Sequence, residues 1–358
     1  MTPFDFRPRT RILFGAGEFA RLGEVAREQN ATRCLVLAGK SMVDAGYAQE
    51  AVRSLKARRM DVFAFHDFSP HPTVAMVEAA RDFAAPSAAN LVVGLGDSDD
   101  LDFAKAVNVV LTNGGSIRDY RGYGNVPKPL LPMIAVPTTA GSGSEAQCST
   151  AITDPEARCK IICGDPKVFF RTAVLDPNLT LSSSPPEIAA HAFDAISNAI
   201  ETLFSTRRTP ISECFSREAW RLLEAHFERI LRAPEDLEAR SAMLLGAHFA
   251  GIAVEYAALG PAHACAQPLV ENYKMPHGAA VALVLPPTLE WMERGADLVP
   301  RLRDLVAAAE LPMSLRDASV PEQVLPRLAD EAAAQWSGRF GSRPFDAEAA
   351  LEIYRAVF

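Results

Sequence analysis

The sequence is short of several things, and each shortage excludes a class of protein. No apolar run approaches the roughly 20 residues a helix needs to cross a bilayer, so no membrane partner is expected. Positive charge is neither abundant nor clustered: 36 Lys and Arg stand against 44 Asp and Glu, for a net charge of −8. A nucleic-acid partner needs a basic face, and none is implied. Cysteine is sparse, and Cys34, Cys148, Cys159, Cys163, Cys214 and Cys265 contain no CxxC pair. Cys159 and Cys163 lie four apart, which makes no metal site without a second pair. Reduced thiols in a cytoplasmic protein are the expectation. The opening residues MTPFDFRPRTR lack the apolar stretch of a signal peptide. There is no internal repeat and no low-complexity tract.

What is present suits two domains: 358 residues, 49% of them apolar. The first half alternates short apolar runs with helical patterns. Strands are expected at Arg11–Phe14, Arg33–Ala38, Asp61–Phe65, Leu91–Gly94 and Pro132–Val136. Helices are expected from Glu18 to about Gln29, over Val74–Phe83 and over Leu101–Leu111. Continuous apolar strands separated by helices predict a parallel sheet covered on both faces. Ligands of such sheets bind beyond the carboxyl ends of the strands. Gly39, the Gly94–Asp99 turn and the Thr138–Glu145 loop fall at those ends. From about Pro185 helical periodicity takes over, interrupted by one strand-like run at Val281–Leu285. The fold class is therefore α/β plus all-α. An α/β dinucleotide-binding-like domain is expected over residues 1–182 and a helical metal and substrate domain over 183–358. The Ser-Ser-Ser-Pro-Pro stretch within Leu181–Pro186 reads as the linker, and the active site is expected in the cleft between domains.

Six segments carry a resemblance. Pro137–Glu145 reads PTTAGSGSE, Leu111–Tyr120 reads LTNGGSIRDY, and Asp176–Thr180 reads DPNLT. Phe193–Glu201 reads FDAISNAIE, His263–Leu269 reads HACAQPL, and Tyr273–Gly278 ends in Pro-His-Gly. In this order the chain resembles the iron-dependent alcohol dehydrogenase family over nearly its whole length. The resemblance implies hydride transfer between a nicotinamide cofactor and a small alcohol or aldehyde. It also implies a divalent metal acting as a Lewis acid through an open coordination position. A homodimer or larger assembly is implied by resemblance alone. Two other readings stay open. One is a metal-dependent enzyme without net redox chemistry, such as a lyase, hydrolase or isomerase; the other is a non-catalytic relative without normal dinucleotide binding.

For the metal, the matching ligands are Asp194, His263 and His277. Asn198 stands where the family has a further histidine, four residues after Asp194 and so on the same helix face. Two histidines and one carboxylate make a workable site. The harder Asn donor shifts the expectation from iron or zinc toward manganese or magnesium. Gln267 stands where the family has a histidine near the substrate. Glutamine does not titrate near neutral pH, so water or His191 would have to move the proton. Gln267 and His277 are carried as the catalytic candidates.

For the cofactor, the family's GGGSxxDxAK turn aligns with Gly96-Asp97-Ser98-Asp99-Asp100-Leu101-Asp102-Phe103-Ala104-Lys105. Glycine lets a backbone approach phosphate closely, and carboxylates near a pyrophosphate repel it by about 4 kcal/mol per unit-charge pair at 4 Å and an effective dielectric of 20. Either Asp97 and Asp99 point to solvent or cap their own helix, or a cation bridges them to phosphate. Gly39 replaces the acid that would bind the adenosine ribose, and Lys40 follows it, which puts NADP on a par with NAD. Thr138, Thr139 and Ser142, in the loop after the strand, match residues toward the nicotinamide end. Lys160 is a further cofactor-side candidate, and His71 stands where the family has asparagine toward the adenosine end.

Overall fold

A computed structural model describes residues 4–157 and 159–358. They form two compact units. One comprises Arg7–Thr139 and Ser144–Ser182; the other comprises Met1–Phe6, Ala140–Gly143 and Ser183–Phe358.

The first unit carries the strands β1 (Arg11–Phe14), β2 (Arg33–Ala38), β3 (Asp61–Phe65), β4 (Leu91–Gly96), β5 (Gly122–Tyr123), β6 (Met133–Pro137), β7 (Ser149–Asp154), β8 (Cys159–Gly164) and β9 (Thr172–Leu175). Six of them build a parallel sheet in the order β1-β9-β6-β4-β2-β3. Leu35, Val36 and Leu37 of β2 and Leu91, Val92 and Val93 of β4 are fully buried. That is why these strands read as unbroken apolar runs: both sheet faces are covered. The helices are α1 (Leu22–Glu28), α2 (Lys40–Asp44), α3 (Tyr47–Ala57), α4 (Val74–Ala84) and α5 (Ser98–Asn113). β4 runs straight into α5 through Gly96 and Asp97, and β6 into the loop at Thr138.

The antiparallel pair β7–β8 and the short β9 are additions to the strands expected from sequence. The segment Glu18–Gln29 splits into a 3₁₀ turn over Glu18–Arg21 followed by α1.

A buried lysine ties this unit together. Lys105 of α5 is fully buried, and its ammonium donates to the carbonyls of Ser144 (2.7 Å) and Ser149 (2.7 Å) and to Ser144 Oγ (2.8 Å). Asp102 lies 3.4 Å away as its counter-charge. Lys105→Ala leaves two carbonyls without their donor and the half-buried Asp102 without its counter-charge, and a loss of about 3–5 kcal/mol is expected. Urea unfolding checks this, and an unchanged midpoint would refute the tether.

The second unit is helical: α6 (Pro185–Phe204), α7 (Pro210–Arg232), α8 (Leu237–Ala257), α9 (Pro261–Tyr273), α10 (His277–Trp291), α11 (Val299–Ala308), α12 (Leu325–Ala333) and α13 (Ala347–Ala356). Its core runs from Phe193, Ile196 and Ile200 of α6 through Leu223 and Phe227 of α7 to Val281 and Leu285 of α10. One expectation is corrected here. Val281–Leu285 is helical and wholly buried within α10, because an apolar run buried on every side loses the period that separates helix from strand. Within Leu181–Pro186 one unit ends at Ser182 and the other resumes at Ser183, and a helix start follows: Ser184 is the N-cap of α6, boxed with Glu187, and Pro185 and Pro186 fill the first turn. No single helix among the described residues is long and apolar enough to cross a membrane.

Candidate metal centre and cofactor turn

Helix α6 presents Asp194, Asn198 and Glu201 at spacings of four and three, which places all three on one face. His263 sits in the first turn of α9, and His277 is the first residue of α10. One donor atom from each of Asp194, His263 and His277 lies within 4.8 Å of the others. His277 Nε2 is 3.8 Å from Asp194 Oδ1, and the two imidazole rings are 5.3 Å apart at 45°. Asp194 and His263 are buried, whereas the His277 side chain is 37% exposed, which leaves the cluster reachable from one side.

The donors at this cluster fit a cation. His263 Nε2 is buried and has no hydrogen-bond partner, and neither has Asn198 Oδ1. Buried polar atoms are almost always paired, so two orphans beside a carboxylate mark the seat of a positive charge. Asn198 Nδ2 donates to the Ser142 carbonyl (3.3 Å) and lies 3.4 Å from Asp194 Oδ1. Ser142 is thus joined to this cluster through its carbonyl.

Glu201 was not singled out from sequence, although its place seven residues after Asp194 was the available signal. Its carboxylate accepts from His263 Nδ1, from Gly260 N (3.1 Å) and from Ala262 N (2.7 Å). A carboxylate at the amides that open α9 is favoured by the helix dipole. Holding the proton on Nδ1 leaves the Nε2 lone pair for a metal, and a carboxylate behind a histidine also makes it a stronger donor. Gly278 lets α10 start against the Ala190 carbonyl, where any Cβ would collide, and so sets the position of His277.

Gln267, on α9, donates through Nε2 to Glu271 Oε1 at 2.7 Å. His191 of α6 packs its ring against Gly141.

The cofactor turn gives the opposite result. Asp97 is the N-cap of α5, and its Oδ1 accepts from Asp99 N (2.9 Å) and Asp100 N (3.1 Å). Asp100 Oδ2 accepts from Asp97 N (3.1 Å), completing a capping box. The Asp100 carboxyl also takes a hydrogen bond from the Gly39 backbone and lies directly over Gly96, whose φ of +143° is open to glycine. Burial pushes the Asp100 carboxyl well above the usual carboxylate range, and the Asp97 charge adds to the rise. Asp99 Oδ2 accepts from His71 N (2.7 Å) and pairs with His71 Nδ1 (2.9 Å). Burial alone would raise the Asp99 carboxyl, but the His71 bonds and the charge of Lys160 hold it below its ordinary value. The Asp99 bond raises the His71 imidazole in turn. Three of the turn's amides, those of Asp97, Asp99 and Asp100, are therefore occupied by the turn's own carboxylates.

Around it, Ser98 opens α5, and Lys40 opens α2 at the surface with its ammonium 3.1 Å from Asp44. Gly39 is extended and precedes α2. Thr138 is buried, donates its N–H to the Gly96 carbonyl (2.9 Å) and has an unpartnered Oγ1. Thr139, which follows it, is half-buried. The structure thus brings Gly39, Gly96, Asp97, Asp99, Thr138 and Lys160 together around the ends of β2, β4 and β6, and turns Lys40 to its own helix.

Known proteins bear on both regions. The model for iron-containing alcohol dehydrogenase matches residues 8–177, and that for the Fe-containing alcohol dehydrogenase family, C-terminal, matches residues 188–297. The NAD-dependent methanol dehydrogenase of Bacillus methanolicus is 30% identical over 80% of this chain and 74% of its own length. The choline dehydrogenase of Bacillus subtilis is 31% identical over 81% of this chain and 73% of its own. Among solved structures, sulfoacetaldehyde reductase from Bifidobacterium kashiwanohense in complex with NAD+ superposes with a TM-score of 0.91 at 26% identity, covering 100% of this chain and 99% of that one. Matched by both halves of the family's description and by these relatives, the chain belongs to the iron-containing alcohol dehydrogenase family.

Proposed function

We propose that this chain is a metal-dependent oxidoreductase of the alcohol dehydrogenase type, moving a hydride between NAD(P) and a small alcohol or aldehyde. The observation that carries the reading is the convergence of Asp194, His263 and His277 with an orphaned His263 Nε2, in a chain of this family. In this reading those three side chains hold a divalent cation and Asn198 stands as a fourth, oxygen donor. Bound there, the cation supplies a Lewis acid for an alcohol or carbonyl oxygen. Glu201 holds the proton on His263 Nδ1 and fixes the ring. Gln267 orients by hydrogen bonding and moves no proton, since an amide does not titrate. His277, the most open of the three donors, borders the substrate side.

The relatives' names support small alcohols and aldehydes as the substrate class: methanol, choline and sulfoacetaldehyde. Residues 1–182 form the cofactor domain and 183–358 the metal domain. Thr138, Thr139 and Ser142 serve the nicotinamide end, while Gly39, Lys40, Gly96, Ser98 and Lys160 border the remainder. Six free thiols support a cytoplasmic setting. A homodimer or larger assembly completes the reading, supported by β1 as an edge strand with Ile12 and Phe14 exposed.

The test is to strip the protein of metal, reload it with Fe(II), Zn(II) or Mn(II), and assay small alcohols with excess NAD(P)+ and aldehydes with excess NAD(P)H. Turnover that needs the metal is expected in both directions. Turnover that survives a chelator and needs no reloading would sink the metal-dependent reading.

A further inference from the structure

The amides at the head of α5 are the donors a helix N-terminus normally offers to phosphate. Here three of them are taken from within. Asp97 Oδ1 holds the amides of Asp99 and Asp100, and Asp100 Oδ2 holds the amide of Asp97. The next carboxylate, Asp99, is fixed over the turn by two bonds from His71 and by the charge of Lys160. We infer that this turn is a built-in competitor of the cofactor's pyrophosphate, so that the dinucleotide is held weakly and chiefly through its nicotinamide end. The inference rests on the reading above that NAD(P) is the hydride partner.

The physical reason is double. A pyrophosphate must displace the Asp97 side chain to reach the amides, and it must then lie beside the displaced carboxylate and that of Asp99. His71 does not relieve this, because its ring and its amide already bond Asp99. The cap is also self-consistent: Gly39 and Asp97 both donate to the Asp100 carboxyl, so opening the turn breaks a connected set of bonds. A reduced nicotinamide riboside, which carries no phosphate, meets none of these obstacles.

The experiment is a fluorescence titration of the metal-loaded full chain with NADH, NADPH and reduced nicotinamide riboside. For the wild type, millimolar NADH and NADPH binding is expected, within about tenfold of the riboside. For Asp97→Ser/Asp99→Ser, NADH affinity is expected to rise about 100-fold or more while riboside affinity stays level. Serine keeps a competent N-cap, so α5 retains its start. Should the double variant not fold, the wild-type ratio of NADH to riboside decides by itself. Micromolar NADH binding by the wild type, with or without added Mg2+, overturns the inference and leaves the NAD(P) reading standing. Failure of a folded double variant to bind NADH more tightly also overturns it. If no form of the chain binds any of the three compounds, the inference and the NAD(P) reading fall together.

Discussion

His263→Ala is expected to remove metal binding and, with it, turnover. The imidazole Nε2 is a buried atom with no hydrogen-bond partner, in a pocket that Asp194 and His277 complete. Only Asp194, His277 and the Asn198 amide remain in the variant, and an amide oxygen is a poor substitute for imidazole toward zinc or iron. Lewis-acid stabilisation of several kcal/mol corresponds to about 10³-fold or more in kcat/KM. Calorimetric titration with Zn(II) and Mn(II) measures the first part and steady-state rates the second. If the variant takes up metal as tightly as the parent, His263 is not a ligand. Asp194→Asn should behave alike, because the carboxylate is the only full negative charge within the cluster itself.

Glu201→Ala is expected to damage both stability and metal binding. Three donors converge on this one buried carboxylate: His263 Nδ1 and the amides of Gly260 and Ala262. Removing the acceptor strands all three at a site 2% exposed, a loss of about 3–5 kcal/mol. For a unit of this size that corresponds to a Tm lower by roughly 10 °C. Glu201→Gln separates the two effects. The amide keeps the shape and one acceptor oxygen, so the fold should survive. The hold on the His263 tautomer weakens, and metal affinity should drop about 10–100-fold. A folded Gln variant with parental metal affinity would show that Glu201 is only a helix cap.

Much of the sheet was legible because burial on both faces leaves β2, β4 and β6 as continuous apolar runs. The pair β7–β8 was not. Ser149–Asp154 alternates half-buried and buried positions in a polar sequence, and its partner strand is what makes it a strand. The run Val281–Leu285 misled for the converse reason, as β-branched residues in a helix buried all round carry no period. At the proposed metal site, Asp194, His263 and His277 were singled out by their motifs, and Asn198 by standing where the family has a histidine. Glu201 was not, since the histidine it serves is 62 residues away in the chain.

The sequence by itself determined which donors exist and their helical spacing: a carboxylate and an amide four residues apart on one face of α6, and Asp97 and Ser98 where the family has glycines. It left two alternatives at that turn, carboxylates facing solvent or capping their own helix, or a cation bridge. Only the tertiary structure decided which oxygen faces which amide. A cap forms when a carboxylate, a helix start and the neighbouring strand ends meet at 2.9–3.1 Å, and Gly39 on β2's side and Gly96 at the end of β4 make room for Asp100 there. The same holds for His263: its chemistry was written in the chain, but the atom left open for a metal was chosen by a carboxylate that folding brought behind it.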